Sequence, residues 1–219
     1  MNIRDIKGLK YPDEYFIKFF FKKGLHLDDK ANTFVELGCA NGCNLSLAYQ
    51  FGNHVIGVDY DKASIENAHD NFSSLIQENN FSFYCDDMRE FVKNNQLSVD
   101  VLSLANSIYY IPKNDFVNLL RNIKGWLSSD TSLFIRFRGL DDFRYGKGKL
   151  VDENSFIIEN GVTGEDGAYC CFYSEEDMLA LLMDELNLRN YDVMNARYDN
   201  IQNGVTVSNH DIIIWGSVG

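Results

Sequence analysis

A glycine turn and the acids that follow it, spaced along the first half of the chain, are where chemistry is most legible. In Thr33-Phe-Val-Glu-Leu-Gly-Cys-Ala-Asn-Gly42 an apolar strand runs into a Gly-x-Ala-x-Gly turn that opens a helix. Gly38 and Gly42, with Ala40 between them, let the backbone approach a bulky ligand without a Cβ clash, and the helix start offers free N–H groups to a polar or negative group. A dinucleotide fingerprint puts glycine first, third and sixth. Here the positions are Gly38, Ala40 and Gly42, the first, third and fifth, which weakens a nicotinamide reading. Asp59 ends the strand of VIGVDYD, where a carboxylate can accept both hydroxyls of a ribose. Asp87, in FYCDDMR, is a candidate acceptor for an adenine amino group, with Met88 packing the ring and offering its N–H.

A second cluster is basic. Period two puts Arg136 and Arg138 on one face of the strand LFIRFR, and Arg144, Lys147 and Lys149 follow. Five bases in so acidic a chain suggest an anion site for a phosphate, a carboxylate or a sugar nucleotide. Pairing with Asp141, Asp142 and other acids is the alternative. Tyr109 and Tyr110 stand where they could stack on a sugar ring or simply pack, whereas Tyr169, Phe172 and Tyr173 read as core. His26 and His54 precede strands and His69 falls in mid-helix, so His210 is the one histidine that topology allows as a general base. A surface-turn histidine beside Asp211 is the other reading. No metal is expected: Cys39-x-x-x-Cys43 lacks a second ligand pair, and Asp86-Asp87 has no acidic partner cluster at the fourth strand. No Ser-His-Asp or Cys-His set has a supporting nucleophile turn.

Positioning these groups takes an alternating chain. The pattern predicts helices over 12–24, 44–51, 62–76, 88–94, 115–127 and 174–186. Strands are predicted over 33–37, 55–58, 81–85, 99–105, 132–137, 191–198 and 205–215, with a hairpin in KLVDENSFIIENG. Strand-helix alternation implies a parallel sheet covered on both faces, and the last two strands, with no helix between them, must be antiparallel neighbours. The 219 residues read as one domain, 1–219, with an N-terminal helical segment 1–30 and a substrate-side insertion at about 139–173.

Composition removes several classes. With 45% hydrophobic and 14% aromatic residues the chain is not disordered. A net charge of -12 repels phosphate backbones, so nucleic acid and anionic membranes are not expected partners; a small-molecule substrate is. The N-terminus has no secretory pattern and the five cysteines no framework spacing, so free thiols in the cytoplasm are the expectation. Oligomeric state is not read from the sequence.

Through VELGCANG, VIGVDYD, CDDMRE and VDVLSLANSIYYIP, over about residues 33–138, the chain resembles a class I S-adenosylmethionine-dependent methyltransferase. The resemblance implies a three-layer Rossmann-like α/β fold, with a seven-stranded, mostly parallel sheet whose last strand is antiparallel, and S-adenosylmethionine as cofactor. It implies that Glu36, Gly38, Ala40 and Gly42 frame the methionine part. Asp59, with Tyr60 beside it, would hold the ribose, Asp87 and Met88 the adenine, and Asn106 would lie beside the sulfonium and the substrate. Ala40 stands where many members carry glycine, and Tyr11 is a family-style cap on the pocket. The opening YPDEYFIKFF and the FYSEEDM region are similar to methyltransferases of bacterial surface-polysaccharide pathways. The implied reaction is methyl transfer to an oxygen or nitrogen of a small polar, anionic molecule such as a sugar or sugar nucleotide. His210 would be the base, and Tyr109, Tyr110, Arg136, Arg138 and Arg144 the substrate side. Two other functions compete: a non-catalytic cofactor-binding module of the same fold, and a nicotinamide oxidoreductase, which the glycine spacing and Asp87 oppose.

Overall fold

A computed structural model describes residues 3–27, 30–75 and 80–219. The first helix, α1 (Glu14–Lys22), begins two residues after Pro12 because Asp13 takes the N-cap and accepts from the N–H groups of Tyr15 and Phe16. Its buried face is Phe16, Phe19 and Phe20. The alternating run follows as β1 (Thr33–Leu37), α2 (Cys43–Gln50), β2 (His54–Asp59), α3 (Lys62–Ser73), β3 (Phe81–Cys85), α4 (Met88–Asn94) and β4 (Val99–Ala105). Then come α5 (Lys113–Ile123) and β5 (Leu127–Arg138). Asp61 caps α3 through its bond from the Ser64 N–H, as its position predicts; Ile76, the predicted end of that helix, lies outside the described residues. The predicted 115–127 helix instead starts directly after Pro112, whose fixed φ suits a helix entry, and its last turn tightens to a 3₁₀ turn.

After β5 the chain builds a separate three-stranded antiparallel sheet, β6 (Gly148–Asp152), β7 (Ser155–Ile158) and β8 (Tyr169–Cys171). The hairpin β6-β7 is legible in the sequence, but three residues of β8 are too few to show alternation. Helix α6 (Glu175–Leu186) and the long pair β9 (Arg189–Gln202) and β10 (Val205–Val218) close the fold.

The main sheet has the order β3-β2-β1-β4-β5-β10-β9. The first five strands are mutually parallel, and β10 is antiparallel to both β5 and β9. This is the Rossmann-like, seven-stranded sheet the sequence predicts. One face carries α1, α2 and α3 over Phe34, Val101 and Phe134; the other carries α4, α5 and α6 over Val35, Leu102 and Ile135. Because β9 runs with β5, the β9-β10 turn projects from the same edge at which the parallel strands end. Among the described residues no helix is long and apolar enough to cross a membrane.

Candidate functional site

The site grows from the turn after β1. Gly38 has φ +81°, and a Cβ there would fall 2.2 Å from the Ser107 Cβ, so the loops after β1 and β4 close on each other at a position only glycine fills. Ser107 Oγ donates to the Leu37 carbonyl at 2.7 Å and fixes that approach. Ala40 adopts φ +46°, a left-handed geometry its side chain disfavours, and its N–H donates to Asp59 Oδ2 at 2.8 Å. Asp59 Oδ1 accepts from the Asp61 N–H. Asp87 caps α4, and Arg89 grips its carboxylate with three donors; those hydrogen bonds hold the carboxyl below its usual range.

These strand tips open onto a crevice of about 730 Å³ lined by Gly38, Ala40, Asp59, Tyr60, Asp87, Met88, Asn106 and Tyr110. The sequence reading thus names much of its wall. It misses Asp61, Ser64, Asp86, Arg89, Ser107, Ile111 and the stretch that carries Gly164, Glu165, Ala168 and Tyr169. Asp61 and Ser64 could have been found from DYDKAS, one helix turn past Asp59. Glu165 is reached only by a loop that folds back over the strand tips, and no spacing announces that. Among the described residues, the crevice wall carries Asp59, Asp61, Asp86, Asp87 and Glu165 against Arg89 as its only base. Such a lining attracts a cation and repels a pyrophosphate. It suits a nucleoside joined to a sulfonium and an ammonium, and fits a dinucleotide poorly.

Two residues expected to frame the methionine part do not line this crevice. Gly42 has φ +74°, and a Cβ there would strike Phe72 and Phe83, so it is glycine for the sake of the core. Glu36 is 1% exposed on the α1-α2 side of β1. One of its oxygens accepts from Asn44 Nδ2 and Ser103 Oγ; the other, Oε2, is buried without a partner. Burial raises the Glu36 carboxyl to about 7, against the lowering effect of those two bonds.

A second cavity of about 240 Å³ is lined by Asn106, Tyr109, Arg136, Arg138, Asp142, Arg144, Tyr198, Asn209 and Asp211. Asn106, held at φ +56°, lines both cavities. Arg136 and Arg138 do share this wall, as period two predicts, but their charges are spent. Arg136 pairs with Asp13 and Asp211, Arg138 with Glu165, and Arg144 with Asp142 and Glu165. Lys147 lies over the Phe143 ring, and Lys149 is exposed on β6. Of the expected open cluster of five bases, the three arginines are therefore ion-paired. Tyr109 is buried beneath the Arg138 guanidinium, at 4.4 Å from its ring centre, and Tyr110 borders the crevice. Tyr11 faces a separate pocket under the N-terminal segment.

His210 lines neither cavity. On β10, Asn209 and Asp211 face the second cavity, so the pleat turns His210 the other way, where Nε2 meets Asn195 Oδ1 at 3.0 Å and the ring packs on Gly139. Burial, then the Arg197 charge, lowers its pKa. The geometry corrects its assignment as base.

The fold and the acid-lined crevice define a Rossmann-like protein with a nucleoside-sized site at the carboxyl edge of its parallel strands. Residues 34–130 match a family described as a methyltransferase domain. No curated protein matches the chain. Among solved structures, a SAM-dependent methyltransferase from Methanosarcina mazei is similar at a TM-score of 0.65 and 17% identity, over 90% of this chain and 96% of that one. A Synechocystis magnesium protoporphyrin IX methyltransferase with bound SAM gives 0.58 and 13%, over 93% and 77%. A Burkholderia thailandensis 1,6-didemethyltoxoflavin-N1-methyltransferase, with bound 1,6-didemethyltoxoflavin and S-adenosylhomocysteine, gives 0.60 and 11%, over 93% and 76%. Residues 34–130 thus match a methyltransferase domain, and the chain shares its fold with SAM-dependent methyltransferases. None of these matches points to surface-polysaccharide pathways.

Proposed function

We propose that this enzyme moves the cofactor's methyl group to an oxygen or nitrogen of a small polar molecule seated in the second cavity. The observation that carries the reading is Asn106, whose residue forms wall in both the acid-lined crevice and that cavity. When bound, S-adenosylmethionine supplies a methyl already activated on a sulfonium. What the chain must add is alignment of the acceptor and exclusion of water.

Asp59 is suited to the ribose hydroxyls with the lone pairs that Ala40 and Asp61 leave free, and Asp87 with Met88 to the adenine edge. The left-handed turn at Gly38 and Ala40 keeps backbone rather than side chain against the methionine end. Glu36 contributes beneath that turn as a buried acid that favours a cationic ligand, without touching it. Asn106 lines both cavities, and Tyr110 lines the crevice beside it. Among the described residues no histidine lines either cavity, and none is placed to act as the base.

With Glu165 in place, the arginines of this cavity are ion-paired and present no bare positive charge. A hydroxylated molecule, including a sugar, suits a cavity whose wall alternates guanidinium, carboxylate and amide groups. A non-catalytic module would need no second cavity beside Asn106. Incubation with methyl-labelled cofactor and a fractionated metabolite pool tests the reading: label should pass to a small polar product, and protein that binds cofactor but labels nothing would favour the module.

A further inference from the structure

Arg138 and Arg144 differ from Arg136 in where their acid comes from. Arg136 is held by Asp13 at the start of α1 and by Asp211 of β10, both in the main framework. Arg138 and Arg144 converge instead on Glu165, in the loop between β7 and β8. Arg138 Nη2 donates to Glu165 Oε1 at 2.5 Å, Arg144 Nε donates to Oε2, and Tyr110 Oη adds a third donor to Oε1 at 2.9 Å. Two guanidiniums and a phenol on the two oxygens of one carboxylate form a donor set suited to recognising a free carboxylic acid.

The loop that supplies Glu165 is lightly tied. Gly161, Gly164 and Gly167 are all left-handed, and much of its hydrogen bonding is internal, through Asn160 and Asp166. Among the described residues, its hydrogen bonds to the body outside the insertion run through Glu165, to Arg138 and Tyr110, and through Asn203, which donates to the Val162 carbonyl. Glu165 also lines the crevice, while the arginines it holds line the second cavity. It therefore stands in the partition between the two.

Charge and burial favour an anion at this position. With Glu165 removed, Arg138 would lose its ion-pair partner and Arg144 would keep only Asp142, on a wall that also carries Arg136 and Asp211. A buried guanidinium without an adjacent carboxylate is costly, so another anion suits the place. We propose that Glu165 is a stand-in for the acceptor's own carboxylate. The acceptor is a small carboxylic acid that displaces Glu165 from Arg138, Arg144 and Tyr110, and the departing loop opens the partition beside Asn106. This rests on the methyl-transfer reading and adds the acceptor's class: a polar molecule anchored by one carboxylate.

The test compares the full chain with Glu165→Ala, and with Glu165→Ala carrying Arg138→Gln, by thermal melting and calorimetric titration. The probes are acetate, benzoate and inorganic phosphate, with chloride at matched ionic strength. Glu165→Ala should melt below the parent in chloride and recover by about 3 °C in about 100 mM acetate, while the parent hardly shifts. Arg138→Gln should abolish the recovery. Glu165→Gln, which keeps the loop's shape, should show the same acetate response if the alanine variant fails to fold. A loss of stability that no carboxylate restores makes Glu165 a brace and overturns the proposal. So does recovery by phosphate alone, recovery that survives Arg138→Gln, or a labelled methyl product without a carboxylate. Cofactor titration of the parent separates the two readings. Acetate recovery without S-adenosylmethionine binding would sink the methyl-transfer reading, and cofactor binding without acetate recovery would sink only the carboxylate site.

Discussion

The N–H of Ala40 donates to Asp59 Oδ2 at 2.8 Å, so the acid at the tip of β2 holds the turn at the tip of β1. With the Asp61 N–H on its other oxygen, Asp59 is a brace for the site before any ribose arrives. Asp59→Ala should weaken cofactor binding and also cost about 1 to 3 kcal/mol of stability, because two N–H groups lose their acceptor. Asp59→Asn, which keeps one acceptor oxygen, should regain more stability than affinity. Calorimetric titration and denaturant unfolding of both variants read the two effects apart; full stability with lost affinity would remove the bracing role.

The same turn makes opposite predictions at neighbouring positions. Ala40→Gly relieves a left-handed alanine and should leave stability unchanged or raise it by up to about 1 kcal/mol. Gly38→Ala should cost roughly 3 kcal/mol or more, since it adds a left-handed side chain at 2.2 Å from the Ser107 Cβ. Urea unfolding midpoints check both.

Glu36 sets a pH dependence. Its carboxyl is raised in the folded chain to about 7 from an ordinary 4.5, so its contribution to stability is full below the ordinary value and is lost as pH rises to 7. The loss amounts to about 3 kcal/mol. Glu36→Gln should flatten the stability profile between those limits. An unchanged profile would mean that Glu36 does not change its charge state on folding.

Arg136→Met should destabilise the protein by roughly 3 to 5 kcal/mol, because it leaves the buried Asp211 and the half-buried Asp13 without their ion-pair partner and unties the start of α1 from β5. Its thermal midpoint should fall well before any acceptor constant is measurable, in contrast with Arg138→Gln.

His210→Ala should leave the pH profile of kcat unchanged, since the ring lines neither cavity, and should cost only stability through the packing on Gly139. Loss of a basic limb from that profile would restore His210 as the base.

Much of this was written in the chain. Five parallel strands in order, each ending on the same edge, bring the turn at Gly38 beside Asp59 and Asp87, and chain order alone specifies that. The pleat also put Arg136 and Arg138 on one wall. What period and spacing could not carry was the fate of each charge. Arg136 meets Asp13 across 123 residues, and Glu165 reaches Arg138 by a loop whose path no local pattern encodes.

The sequence determined the sheet, the glycine turn and the acids at the strand tips, because hydrophobic period and turn chemistry are local. Only the tertiary structure decided that the arginines are paired, that Gly42 serves the core, and that His210 faces away. Those outcomes depend on which distant groups come within a few ångströms of each other, and electrostatic pairing and steric room are properties of that proximity alone.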